Sequence, residues 1–256
     1  YHDGDRFELT TVGAAVLADE NDSMAFAAGA FMGGMTPEMI DRLVDAFRTG
    51  IGVSYEDRGP CVAHSTERML GPWTRQTLAP RIIPALDGVE EKLNAGAKAA
   101  DVGCGAGVAV RAMAEAFPNS EFHGYAVSQH AIDRASERTR EQGLKNATFH
   151  CVRGEHIPET PEFDFMITFD CIHDMTHPDK VIASIKKAIK PDGTWLIKDI
   201  RSKPRFKDNL KNPMLAMLYG FSVSSCMSSA LSEEGGAGLG TLGFNPEVAE
   251  RMVRAA

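Results

Sequence analysis

The sequence predicts an α/β fold, a parallel sheet with helices on both faces. Three observations lead there. From Lys98 onward short apolar runs alternate with amphipathic helical patterns, the rhythm of strand–helix–strand units. The first run ends in Gly103-Cys104-Gly105-Ala106-Gly107, with a helical pattern directly behind it from Val108. A chain of 256 residues, 43% hydrophobic and 24% charged, is large enough for one such domain plus an appendage.

In chain order, Asp3-Gly4 is a turn signal, and Phe7 and Leu9 alternate as inward-facing strand residues. Thr11 stands where it can cap a short helix carrying Val12, Ala15 and Val16. A strand and a helix of this size close no core alone. Residues 1–22 are therefore either a terminal hairpin packed on the main domain or the remnant of a separate small domain. Residues 23–95 read as mostly helical. Thr36-Pro37-Glu38 starts a helix with proline at its first position, and Met39, Ile40, Leu43, Val44 and Phe47 follow at helical spacing. Gly50-Ile51-Gly52-Val53-Ser54-Tyr55 interrupts with a flexible loop. Helical spacing resumes from Trp73 to Leu93 and stops at Asn94-Ala95-Gly96.

The third unit, residues 96–256, carries strands expected at 98–103, 121–127, 147–153, 163–169 and 194–200. Helical patterns between them include Gln129 to Gln142 and His177 to Lys190, the latter with Val181, Ile182, Ile185 and Ile189 on one stripe. Pro191-Asp192-Gly193 is a turn signal. In the insertion from Arg201 to Leu231, Met214, Leu215, Met217, Leu218 and Phe221 fit a core, a pocket lining or a homodimer face. Ser232 to Gly240 is glycine-rich and reads as a mobile loop. It lacks the Lys-Ser/Thr ending of a phosphate loop. A last helix begins at Pro246.

The stretch 99–113 organises the rest. Glycine permits positive φ and close approach of a ligand to the backbone, and the following helix offers free N–H groups. Val108 stands where a dinucleotide fingerprint needs Gly or Ala, so a nicotinamide cofactor is the poorer fit. Asp101 closes the strand two positions ahead of Gly103. An acidic residue followed by G-x-G-x-G resembles the first motif of the class I S-adenosylmethionine-dependent methyltransferases, and the similarity covers roughly residues 96–200.

This resemblance implies a Rossmann-like methyltransferase sheet, with residues 23–95 as a helical lid. It also makes 1–22 look like the wing and following helix of the winged-helix domain that many small-molecule O-methyltransferases carry. That family adds a closing β-hairpin after the last helix, which is expected to be missing here. S-adenosylmethionine is the implied cofactor, its methionine end held by Asp101, Gly103, Cys104, Gly105 and Gly107. The ribose is read by an Asp or Glu at the end of the second strand in that family. Here the position aligns with Ala126, beside Val127. Losing those charge-assisted hydrogen bonds costs roughly 2–4 kcal/mol, about 30- to 1000-fold in affinity. Ser128 or a water would recover part. Glu155, or His156 next to it, is the candidate for the adenine amino group, against a plain solvated loop. Asp170 ends the fourth strand where the methyl group points, and Tyr55 either contacts cofactor or substrate or packs on the next helix.

His173-Asp174 resembles the pair with which O-methyltransferases deprotonate a substrate hydroxyl, so His173 is the candidate base; the alternative has it capping a helix or lining the pocket. Asp174 is not expected to orient the ring, because adjacent side chains diverge. The implied activity is methyl transfer to a small-molecule acceptor, on oxygen. A cofactor-binding regulator without turnover is the alternative, supported by Ala126 and the wing-like N-terminus. A net charge of −8 argues against a general nucleic-acid surface. The 5 Cys include no C-x-x-C pair, which fits a reducing cytoplasm. No apolar run of about 18 residues suggests a membrane span. The 8 His form no metal-ligand motif, so no metal is expected.

Overall fold

The computed structural model describes residues 2–4, 6–27 and 35–256, and only the backbone of residues 2, 3 and 6. Tyr1 and Asp5, in the predicted N-terminal unit, and residues 28–34, in the predicted helical stretch, lie outside the described residues. Strands β3 (Lys98–Val102), β4 (Glu121–Ala126), β5 (Ala147–Cys151), β6 (Phe163–Phe169) and β7 (Ile189–Lys198) form a parallel sheet in the order β5-β4-β3-β6-β7. The order reverses on either side of β3, so the crevice at the carboxyl ends of β3 and β6 is the natural ligand site.

Burial on both faces explains the nearly continuous apolar strands. Phe165 and Ile167 of β6 join a core with Leu93, Val110 and Met113. Met166, pointing the other way, joins Val181, Ile182 and Ile185. This is the Rossmann-like methyltransferase architecture, with a helical region ahead of it.

That region begins with a two-stranded hairpin, β1 (His2–Asp3) with β2 (Arg6–Phe7). Phe7 and Leu9 do not face inward; they are 85% and 48% exposed. Helix α1 (Thr11–Leu17) is capped by Thr10, whose hydroxyl accepts from the Gly13 N–H at 3.0 Å, so Thr11 is the first helical residue rather than the cap. Helix α2 (Pro37–Thr49) starts at Thr36-Pro37 as expected. Its apolar stripe is only partly buried: Met39 and Leu43 are half-buried, whereas Val44 and Phe47 are 42% and 75% exposed.

Helix α3 (Pro60–Thr77) runs into a wide turn at Leu78–Ile82 and a tight one at Ile83–Ala85. The helix expected from Trp73 to Leu93 is therefore broken before α4 (Val89–Ala95), whose end at Gly96 has φ 105°. Gln76 donates to the Asn21 carbonyl at 2.9 Å, tying the N-terminal segment to α3.

Helices α5 (Val108–Ala116), α6 (Gln129–Glu141) and α7 (Pro178–Ala188) cover the sheet. Strand β7 starts at Ile189 rather than 194, because Ile189 already pairs with Phe163 while Thr194 pairs with Phe165. The Pro191-Asp192-Gly193 turn is a bulge inside the strand. Beyond it lie α8 (Leu215–Phe221), α9 (Met227–Ala230) and α10 (Pro246–Ala255). The glycine-rich segment is anchored rather than loose: Ala237 N–H donates to the Thr176 carbonyl at 2.8 Å and Gly240 N–H to that of His173 at 3.0 Å. Cys151, the last residue of β5, is exposed. Among the described residues no helix is long and apolar enough to cross a membrane.

Candidate active site

A cavity of about 490 Å³ opens at the carboxyl ends of β3, β4 and β6, bounded on its other side by residues 54–56 and by Thr66, Glu67, Leu70 and Thr74 of α3. Its floor is the glycine turn. Gly103 and Cys104 both donate through their N–H groups to the Tyr125 carbonyl, at 2.8 and 3.0 Å, which fastens the turn to β4. Gly103, Gly105 and Gly107 have φ of 86°, 50° and 73°. They do so for different reasons. A Cβ at Gly103 would lie 2.6 Å from Cys171 Sγ, and one at Gly107 2.4 Å from Phe149 Cε1. Nothing lies within 4 Å of a Cβ at Gly105, which lines the cavity and leaves its backbone open to a ligand.

Asp101 is buried beneath this turn, 3% exposed, and its Oδ1 has no partner. Burial pushes its carboxyl up to about 7. Burial likewise lifts the Cys104 and Cys171 thiols well above the usual range, so both are inert packing groups. Cys104, Ala126, Val127 and Glu155 line the cavity, as do Tyr55 and Asp170. Asp101, Gly107 and His173 do not; they stand behind it. His156 faces a neighbouring open groove with His177 and Lys180.

Glu155 accepts from Arg153 Nε at 2.8 Å, and Arg153 also pairs with Glu233 of the glycine-rich segment. Tyr55 packs against α3, its hydroxyl 3.2 Å from Thr66 Oγ1, and burial raises it to about 12. Asp170 adopts φ 49°, rare for a residue with a side chain, and its carboxylate is clasped by Lys198. Burial dominates the upward shift of its carboxyl, with Lys198 opposing.

His173 is 2% exposed, with Nδ1 2.6 Å from Asp199 Oδ1. Burial, the largest influence, works against its protonation, but hydrogen bonds to Asp199 and Cys226 and the charges of Asp174 and Asp199 together outweigh it and raise the ring to about 11. Asp174 does line the cavity, and burial raises its carboxyl to about 7. Ligand atoms of His173, Asp174 and Cys226 lie within 4.8 Å of one another, a cluster no local sequence pattern announced.

Other residues around the site were also hidden in the sequence. Asp199, just past β7, orients the ring that Asp174 does not, and its place at the same sheet edge was the available signal. Glu67 of α3 is held by Arg111 at 2.7 Å and by Arg134. Glu56, on the short turn Glu56–Arg58, has a buried Oε2 with no hydrogen-bond partner.

A glycine cradle under a deep cavity at the switch point of this sheet defines a methyltransferase domain. The methyltransferase-domain family matches residues 93–234, and the chain belongs to it. The methyl donor of this domain is S-adenosylmethionine. The chain is 32% identical over 102 residues to a ubiquinone biosynthesis O-methyltransferase of Methylococcus capsulatus, covering 39% of this chain and 42% of that protein. It spans about half the length of the curated relatives it matches. Among solved structures, an O-methyltransferase family protein from Burkholderia thailandensis superposes with TM-score 0.67 at 14% identity, over 99% of this chain and 73% of that one. Human N-acetylserotonin methyltransferase, solved with S-adenosylmethionine, gives 0.58 at 16% identity over 93% and 66%. At such identities the likeness is one of fold.

Proposed function

We propose that the protein transfers a methyl group from S-adenosylmethionine to the oxygen of a small-molecule acceptor. The observation that supports this most is a single cavity with the glycine turn at one part of its wall and Asp174, backed by His173 and Asp199, at another. The printed names of the curated relatives, ubiquinone biosynthesis O-methyltransferases, support oxygen as the accepting atom. In this reading 96–256 is the catalytic domain, 23–95 its lid and 1–22 a winged-helix remnant.

When bound, S-adenosylmethionine supplies an electrophilic methyl group. The chain's residues do the rest by alignment and proton handling. Gly103, Cys104 and Gly105 give the methionine end a close backbone floor that Gly107 shapes from behind, and Asp101, buried beneath the turn with Oδ1 unpartnered, supplies the charge that suits its ammonium. Ala126 and Val127 flank the ribose, Glu155 with His156 nearby takes the adenine amine, and Tyr55 and Asp170 close the walls. In its neutral form, and once Asp174 gives way to let the acceptor reach it, His173 takes the acceptor's hydroxyl proton at Nε2, while Asp199 occupies Nδ1 and fixes the ring.

His173→Ala tests this. Turnover of a labelled methyl group should fall about 10²–10⁴-fold, while affinity for S-adenosylhomocysteine, measured by calorimetry, stays within about twofold. Equal losses in both would mean a structural role. Ala126 favours a second reading, cofactor binding without turnover. Binding of S-adenosylhomocysteine with no transfer to any hydroxyl acceptor would select it.

A further inference from the structure

We infer that Glu56, carried by the lid, supplies the carboxylate for the ribose diol that β4 lacks at Ala126. The inference rests on the S-adenosylmethionine reading above and adds a residue from outside the sheet. Ala126, the last residue of β4, brings only a methyl group to the cavity wall. The polar acceptors nearby are otherwise engaged. Ser128 Oγ accepts from the Ala131 N–H at 3.3 Å as the cap of α6. Glu67 is bound by two arginines, and Glu155 by Arg153.

Glu56 differs from all of these. It lines the same cavity, and its Oε2 is shielded from water without a donor to satisfy it. Its place is fixed by two neighbours. Oε1 lies 3.7 Å from Nε2 of His130, in the first turn of the helix that follows β4. Cys151, paired in register with Ala126, has its thiol pushed up by burial and then by the charge of Glu56. The carboxylate thus stands over the joint ends of β4 and β5. An ionised carboxylate only accepts hydrogen bonds, and a vicinal diol offers two O–H donors to it. Because Glu56 belongs to the lid, the same contact would hold the lid down on the bound nucleoside.

Calorimetry with S-adenosylhomocysteine, and with an analogue lacking both ribose hydroxyls, tests the assignment. Glu56→Gln should weaken S-adenosylhomocysteine roughly 10- to 100-fold and leave the dideoxy analogue unchanged. Adding Ala126→Asp to Glu56→Gln should recover about tenfold or more, since the strand then supplies the charge. Unchanged affinity in Glu56→Gln, or an equal loss for both ligands, would overturn the role of Glu56 alone. A wild-type protein that binds neither ligand would overturn the cofactor reading itself.

Discussion

The cavity has two walls built on opposite principles. The turn at 103–107 is made of main chain: positive φ at three glycines, two N–H groups on one carbonyl, and no charged side chain. The wall opposite, made by residues 54–56 and α3, is fastened by charges reaching across the chain. Glu67 of α3 meets Arg111 of α5 and Arg134 of α6, with side-chain exposures of 10%, 6% and 22%. A backbone-built wall is fixed by a few consecutive residues and has no alternative position. A wall held by side chains depends on partners far away in sequence and can come loose as a unit.

The most forceful way to break this contrast is Glu67→Ala. It leaves buried Arg111, whose Nε already has no partner, without its carboxylate. Removing one member of a buried ion pair costs about 3–5 kcal/mol. If the two walls are separable, the loss is local: hydrogen exchange should accelerate through residues 60–77 while β3 and β6 keep their protection. Uniform acceleration across the sheet would show that turn and lid unfold together.

The same contrast explains what could be read from the sequence. Strands β3 to β6 followed from apolar runs bounded by turn residues, and the glycine turn from five consecutive positions. Thr36-Pro37 gave the start of α2 for the same reason, since a cap acts over three residues. The attachment of α3 was not legible, because Arg111 in a helical pattern looks like any solvated arginine. Only the packing of α3 on α5 buries it beside Glu67, 44 residues away. Asp199 is 26 residues from His173 and was missed likewise. Phe7, Leu9 and the stripe of α2 failed in the opposite direction. Their periodicity is local, but burial requires a neighbouring surface, and Phe7, Leu9, Val44 and Phe47 stay exposed.

A medium-sized effect separates the walls by pH. Asp101, near the end of β3, lies beneath the turn, and burial raises its carboxyl to about 7. The folded state therefore binds more protons than the unfolded chain between about pH 4 and pH 7, and this group's contribution to stability falls as pH rises through that window. A bound ammonium would favour the ionised form. Affinity for S-adenosylhomocysteine should then tighten about tenfold between about pH 6 and pH 8, with proton release. Calorimetry in buffers of different ionisation enthalpy measures that proton. In Asp101→Asn the pH dependence should vanish. Its persistence there would move the titration to another cavity group, such as Asp174.

The smallest effect on folding, and the sharpest on meaning, is Gly105→Ala. At Gly103 and Gly107 a methyl group would collide with Cys171 or Phe149, so space and φ both demand glycine. At Gly105 space demands nothing, and φ of 50° lies in the left-handed region that other residues enter at about 1–2 kcal/mol. The variant should unfold at only slightly lower denaturant concentration, with an unchanged slope. Its methyl group, though, enters a part of the turn that is open to the cavity. Affinity for S-adenosylhomocysteine should therefore drop by about tenfold or more, a larger loss than folding suffers. If folding and affinity fell in equal measure, the glycine would serve the turn's geometry alone. The open face above it would then have no claim to be the cofactor's resting place.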